Sequence, residues 1–202
     1  MIRSINRTPE QSSVRFFLFV VAVDLIDLSR PRLSDLRHSR LQMDLELLTD
    51  DDLDAMRRAP KVIVNPRARW VRKGGHREKN FTLHDARDAT QAYRLFVRIS
   101  ETNETVYSVG LARVWSPEAT LVLVRYNGPY HPHRNIVERT KVPAGCHRHL
   151  ATHRYIEAGL DADGYAEPVS HYNSVESAFD SLCRDFEIAP HAFNPFQPEL
   201  EF

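Results

Sequence analysis

Three runs of alternating polarity, "QAYRLFVRIS" (91–100), "TVYSVGLARVW" (105–115) and "TLVLVRYNG" (120–128), follow one another with only "ETNE" and "SPEA" between them. Successive side chains of an extended chain point to opposite faces. Tyr93, Leu95, Val97 and Ile99 therefore share one face, and Arg94, Phe96 and Arg98 the other. Loops this short join strands as hairpins, so the three runs form an antiparallel meander. Its apolar face needs a cover. The expected fold is α+β, an antiparallel β-meander sheet with helices packed on one face.

Two segments can supply the cover. Thr49 followed by Asp52 is a near-capping box, and acids at 50, 51 and 52 suit a helix N-terminus. That helix runs over 50–58, with Arg57 and Arg58 at its C-terminal end, and stops before Pro60. Asn173 and Glu176 form an N-cap and N3 pair for a second helix. Its stripe is Val175, Ala178, Phe179, Leu182, Cys183 and Phe186, which makes Cys183 an inert core residue. "KVIVN" (61–65) reads as a strand, and 66–83 as a basic hairpin turning at Gly74-Gly75.

With 202 residues the chain suits one domain, placed at 43–188, with a tail at 189–202. Residues 1–42 stand apart. Their eight-residue apolar run, Phe16 to Val23, is too short to span a bilayer, which takes roughly 20 residues. They read as an extension from a misplaced start, since Met43 opens an ordinary protein beginning, or as an auxiliary strand. A signal peptide ending near Val20-Val21-Ala22 ranks third. Two cysteines cannot frame a disulfide-stapled fold, which favours a reducing cytoplasm and no membrane association.

Five of the ten histidines, at 131, 133, 147, 149 and 153, fall within 23 residues. Three explanations compete: a metal site, a metal-free acid–base site, or a polar patch without chemistry. Cys146, His147, His149 and His153 could hold zinc, with His131 and His133 completing a shell. Their spacing matches no zinc signature, and on a strand Cys146 points away from His147 and His149. The chain has no Gly-x-Ser-x-Gly elbow and no phosphate-cradling glycine loop. Acid–base work on a phosphodiester needs less. Imidazoles titrate near neutrality, RNA brings its own 2′-hydroxyl nucleophile, and cations offset the developing phosphorane charge. His149, His147, His131 and His133 are the catalytic candidates, with Arg134, Lys141 and Arg148 as cations and no cofactor.

Charge adds a partner. The formal net charge is zero, yet residues 61–154 hold 17 Lys and Arg against seven acids, a local +10. A field of that sign draws polyanions, unless acidic helices pack against the basic sheet and neutralise it. Arg69, Arg72 and Lys73 around the hairpin turn are the leading contacts for nucleic acid.

"LVLVRYNGPYHPHRN", "HRHLATHRYIEAG" and "YAEPVSHY" together resemble a family of uncharacterised bacterial and archaeal proteins, and distantly the TumE-like toxins of toxin–antitoxin pairs. The resemblance covers Leu83 to Ile188 and departs from the pattern at Tyr130 and His153. It implies the location of a site, at Arg125, Asn127, His147, His149 and Thr152, more than its chemistry, since the family has no settled activity; the toxin likeness adds an antitoxin protein as a partner. The expected function is nucleic-acid binding, with RNA the first choice, and metal-independent cleavage. The alternatives are a non-catalytic RNA- or protein-binding module of a mobile element, and a zinc-binding domain.

Overall fold

The computed structural model describes residues 47–189 together with Leu45 and Phe196. The reading of residues 1–42 as an extension, and nearly all of the expected tail, lies outside these. In chain order the elements are α1 (Asp50–Arg58), β1 (Lys61–Ile63), β2 (Val71–Lys73), β3 (His76–Asp85), β4 (Ala92–Ser100), β5 (Tyr107–Ser116) and β6 (Ala119–Asn127). There follow β7 (His133–Asn135), β8 (Thr140–Val142), β9 (His147–Leu150), α2 (His153–Glu157), a 3-10 turn (Ala162–Gly164), β10 (Tyr165–Pro168) and α3 (Val175–Asp185). The main sheet runs β1-β3-β4-β5-β6-β9-β10, all antiparallel, with β2 also paired to β3; β7 and β8 pair separately.

The α+β architecture and the meander β4-β5-β6 are those expected from the alternation. One face carries the core: Phe81, Leu83, Tyr93, Leu95, Val97, Val109 and Leu111 pack with Leu53 of α1 and the stripe of α3. Burial holds the Cys183 thiol well above its ordinary range, at about 12, as befits an inert core residue. Thr49 and Asp52 close a complete capping box on α1. The cap of α3 is corrected by one residue. Ser174, not Asn173, takes the Ser177 amide on its side chain, and the Ser177 hydroxyl accepts from the Ser174 amide. Two hydroxyls satisfy the same orphan donors that an Asn–Glu pair would.

Two buried cations lock α1 in place. Arg57 donates to Leu123 O at 3.2 Å and Ala151 O at 2.9 Å, tying the helix to β6 and to the exit of β9. Lys61 donates to Arg57 O at 2.8 Å, satisfying a carbonyl at the C-terminal end of α1.

A bulge in β6 decides what faces the histidines. Leu111 opposes Val124 but Ala112 opposes Val122, so Leu123 is the extra residue. Before the bulge Leu121 and Leu123 point into the core; after it Val124 and Tyr126 do. The parity change sends Arg125 and Asn127 to the opposite face, as bulges beside functional sites commonly do.

Candidate functional site

Register then builds the site row by row. Arg98, Ser108, Asn127 and His147 lie opposite one another across β4, β5, β6 and β9, and the next row is Phe96, Gly110, Arg125 and His149. Gly110 is obligatory in this row because Phe96 lies over it: a Cβ there would come within 2.2 Å of the ring. The hairpin β7–β8 and the 3-10 turn close over the His149 end. The Asn135 side chain imitates a strand, donating to Ala166 O at 2.9 Å and accepting from Ala166 N at 2.8 Å, which clamps β7 to β10.

His131, His133, His147 and His149 converge. Ring centres are 5.4 Å apart for His131–His147, 6.1 Å for His133–His147, 4.6 Å for His133–His149 and 5.0 Å for His147–His149. Backbone carbonyls fix three of the rings, since a carbonyl can only accept. His147 donates through Nδ1 to Gly145 O (2.8 Å), His149 through Nδ1 to Asp163 O (2.9 Å), and His133 through Nε2 to Gly164 O (2.9 Å). His147 is fully buried and His149 only 3% exposed. Burial, then the nearby Arg125, holds His149 down to about 3; burial likewise lowers His147, opposed by its bond to Gly145. Both rings are neutral at pH 7. The Nε2 of His149 is buried without a hydrogen-bond partner, as is Oδ1 of Asn127, whose Nδ2 lies 3.4 Å from His147 Nε2. Arg125 pairs with Asp163 at 3.1 Å. Burial nevertheless raises the Asp163 carboxyl above its ordinary range, and Arg125 only partly opposes this.

A cleft of about 280 Å³ opens beside the cluster, at the sheet end where β4 and β6 finish and β5 begins. Its walls include His76, Arg98, Tyr107, Arg125, Asn127, Tyr130 and His131, and among the described residues no carboxylate lines it. Gly128 lets the end of β6 close against the β4–β5 loop, because a Cβ there would lie 2.2 Å from Thr105 O. His76 Nε2 stands 3.7 Å from Glu78, which also accepts from Arg98 at 2.9 Å.

The remaining expected residues separate from this centre. Arg148 lies on the opposite face of β9, where its Nε donates to Glu167 at 3.0 Å, so it is not placed to meet a ligand of the histidines. Thr152 precedes α2 with its hydroxyl buried. Arg134 and Lys141 face each other, exposed, on β7–β8. Arg69 is exposed, while Arg72 pairs with Glu101 (2.9 Å) and Lys73 with Glu78 (3.7 Å). The zinc set Cys146, His147, His149 and His153 is not gathered. Alternation turns Cys146 toward the Tyr107 hydroxyl (3.6 Å), and the chain leaves the sheet before His153, whose Nδ1 donates to Leu48 O (2.7 Å). Among the described residues no group of three or more His, Cys, Asp or Glu side chains is placed to hold a metal ion. Sequence reasoning missed His76 and Arg98. Counting register outward from the two four-residue loops aligns Arg98 with Tyr107 and Gly128, one residue away from the observed row of Arg98, Ser108 and Asn127.

No family model, curated protein or solved structure matches the chain. No described helix is long and apolar enough to cross a membrane.

Proposed function

We propose that this chain binds RNA in the cleft beside the histidine cluster and cleaves it by metal-free acid–base chemistry. One observation carries the reading: two imidazoles, His76 and His131, and two guanidiniums, Arg98 and Arg125, line one cleft that has no carboxylate in its walls among the described residues. The arginines hold the phosphodiester and offset the charge of the phosphorane. One imidazole takes the proton of the 2′-hydroxyl as its oxygen attacks phosphorus. The P–O5′ bond breaks, and the other imidazole, entering as imidazolium, protonates the leaving 5′-oxygen. The products are a 2′,3′-cyclic phosphate and a 5′-hydroxyl. Buried His147, whose ring meets that of His131 edge to face, acts as a positioning residue. The resemblance to TumE-like toxins points the same way and adds an antitoxin protein as the partner restraining the activity.

His131→Ala and His76→Ala are each expected to slow cleavage by about 10²- to 10⁴-fold, the usual scale for one proton-transfer group. RNA affinity should change little. Cleavage at wild-type rates in both variants would sink the assignment. RNA bound but left intact by the wild-type protein would return the runner-up, a non-catalytic RNA-binding module.

A further inference from the structure

The exit of β6 carries two features that the phosphate chemistry does not use. Tyr130 lines the cleft yet is 61% exposed, so the core does not hold its ring there. Pro129 and Pro132 flank it, each with a fixed φ, so the ring has little conformational freedom to lose on binding. Asn127, the last residue of β6, lines the same cleft and is only 6% exposed. A relay orients its amide. His147 donates through Nδ1 to Gly145 O, so in the neutral ring Nε2 can only accept. The Asn127 Nδ2 that faces it at 3.4 Å therefore donates, and Oδ1 is left as an acceptor. That Oδ1 is buried with no donor among the described residues. Buried polar atoms nearly always have a partner, so an open acceptor on a residue of the cleft wall points to a ligand that brings an N–H or O–H.

Resting on the reading that this cleft takes RNA, we propose that its substrate is single-stranded and that one unpaired base enters the cleft. The base stacks on Tyr130 and gives an N–H on its edge to Asn127 Oδ1. An aromatic ring beside two guanidiniums is the combination that binds single strands: the cations follow the phosphates, and every base offers a π-face to the ring. In a duplex the base faces are stacked on one another and their edges are paired. Neither contact can then form without unstacking and unpairing. The cleft, about 280 Å³, lies at the small end of the range for ligand pockets, which suits one base and not a base pair. All four bases carry an N–H on the Watson–Crick edge, so Asn127 selects for an unpaired base and not for a particular one.

The test uses the full-length chain and a 2′-fluoro oligouridine, which lacks the attacking hydroxyl and stays intact, either free or annealed to its 2′-fluoro oligoadenosine complement. The free strand should bind at least about tenfold more tightly than the duplex, the scale of one stacked base. Tyr130→Ala should lower single-strand affinity by about 5- to 150-fold, the range for loss of one base–aromatic stack. Tyr130→Phe should bind like wild type, and neither variant should change duplex affinity. N3-methylation removes the one N–H donor of uracil and keeps the ring; it should weaken single-strand binding by about tenfold or more. In Asn127→Ala the methyl group should cost nothing further. The methylated strand reads the contact in the native chain even if Asn127→Ala does not fold. Equal affinity for strand and duplex, or undiminished strand binding by Tyr130→Ala, overturns the proposal. Equal binding of methylated and unmethylated strands overturns the edge contact and leaves Oδ1 to a buried water. Because these ligands cannot be cleaved, tight single-strand binding by a protein that leaves natural RNA intact removes the catalytic reading alone. Binding of neither strand nor duplex removes both.

Discussion

His149 shows how residue type and residue placement can point in different directions. Its type, in a histidine-rich stretch, suggests a catalytic imidazole; its placement on an interior strand, under the 3-10 turn, buries it and keeps it out of the walls of the cleft. His149→Ala should therefore behave as a core truncation that also strands the Asp163 carbonyl, costing about 2–4 kcal/mol in urea unfolding. An unchanged unfolding midpoint would show that the ring is not packed as described. Gly110 makes the converse case, a residue with no chemistry on which the row depends. Gly110→Ala drives a methyl into the Phe96 ring, which is itself covered by the Arg98 guanidinium at 4.8 Å. The expected cost is about 1–3 kcal/mol of overpacking. Phe96→Leu in the same chain should recover part of it, and thermal melts of the single and double variants check this.

At the scale of elements, legibility followed periodicity. β4 and β5 were readable because apolar residues recur at every second position (Tyr93, Leu95, Val97, Ile99; Tyr107, Val109, Leu111), and α3 because its stripe persists over three turns. The bulge was hidden, since Leu121 to Val124 are all apolar and a parity change inside such a run leaves no trace. That bulge is why Arg125 and Asn127 reach the histidines, so their grouping was suggested by the resemblance and not by the strand pattern. β7 and β8 were missed for another reason. Three-residue strands carry too little periodicity, and what clamps β7 to β10 is one amide side chain, Asn135. The basic hairpin was placed correctly, and two of its cations have acidic partners: Arg72 pairs with Glu101 and Lys73 with Glu78. Arg98 and Arg125 are paired as well, with Glu78 and Asp163, but they line the cleft and the hairpin cations do not, so replacing Arg69, Arg72 and Lys73 with alanine should weaken RNA binding less than replacing Arg98 and Arg125. The salt slope should fall by about one for each phosphate that a removed cation had neutralised. Affinities measured between low and moderate salt decide it; a larger loss from the hairpin variant would move the interface away from the cleft.

At the scale of the whole molecule, the +10 of residues 61–154 is partly neutralised inside the fold. Arg125 and Arg148 pair with Asp163 and Glu167, acids from outside that span, and Lys61 is buried. The histidines leave a different global signature. His149 is held near 3 and His147 is also lowered, so between those values and about 6.5 the unfolded chain binds protons that the folded chain refuses. Stability then rises with pH: the neutral rings cost nothing above about 6.5, and stability is lost as pH falls from 6.5 toward 3. The slope should approach about 1.4 kcal/mol per pH unit for each such ring once its unfolded form is fully protonated. Asp163 works in the opposite direction, because its raised carboxyl is relieved on protonation, but only as pH falls toward the carboxylate range. Urea unfolding between pH 7.5 and 5 therefore reads the histidines before the carboxyl takes part. His149→Ala should be less stable than wild type at pH 7.5 and should lose less on going to pH 5. Parallel pH curves for the two proteins would mean that His149 protonates as freely in the folded chain as in the unfolded one, and the neutral, buried state of His149 would have to be abandoned.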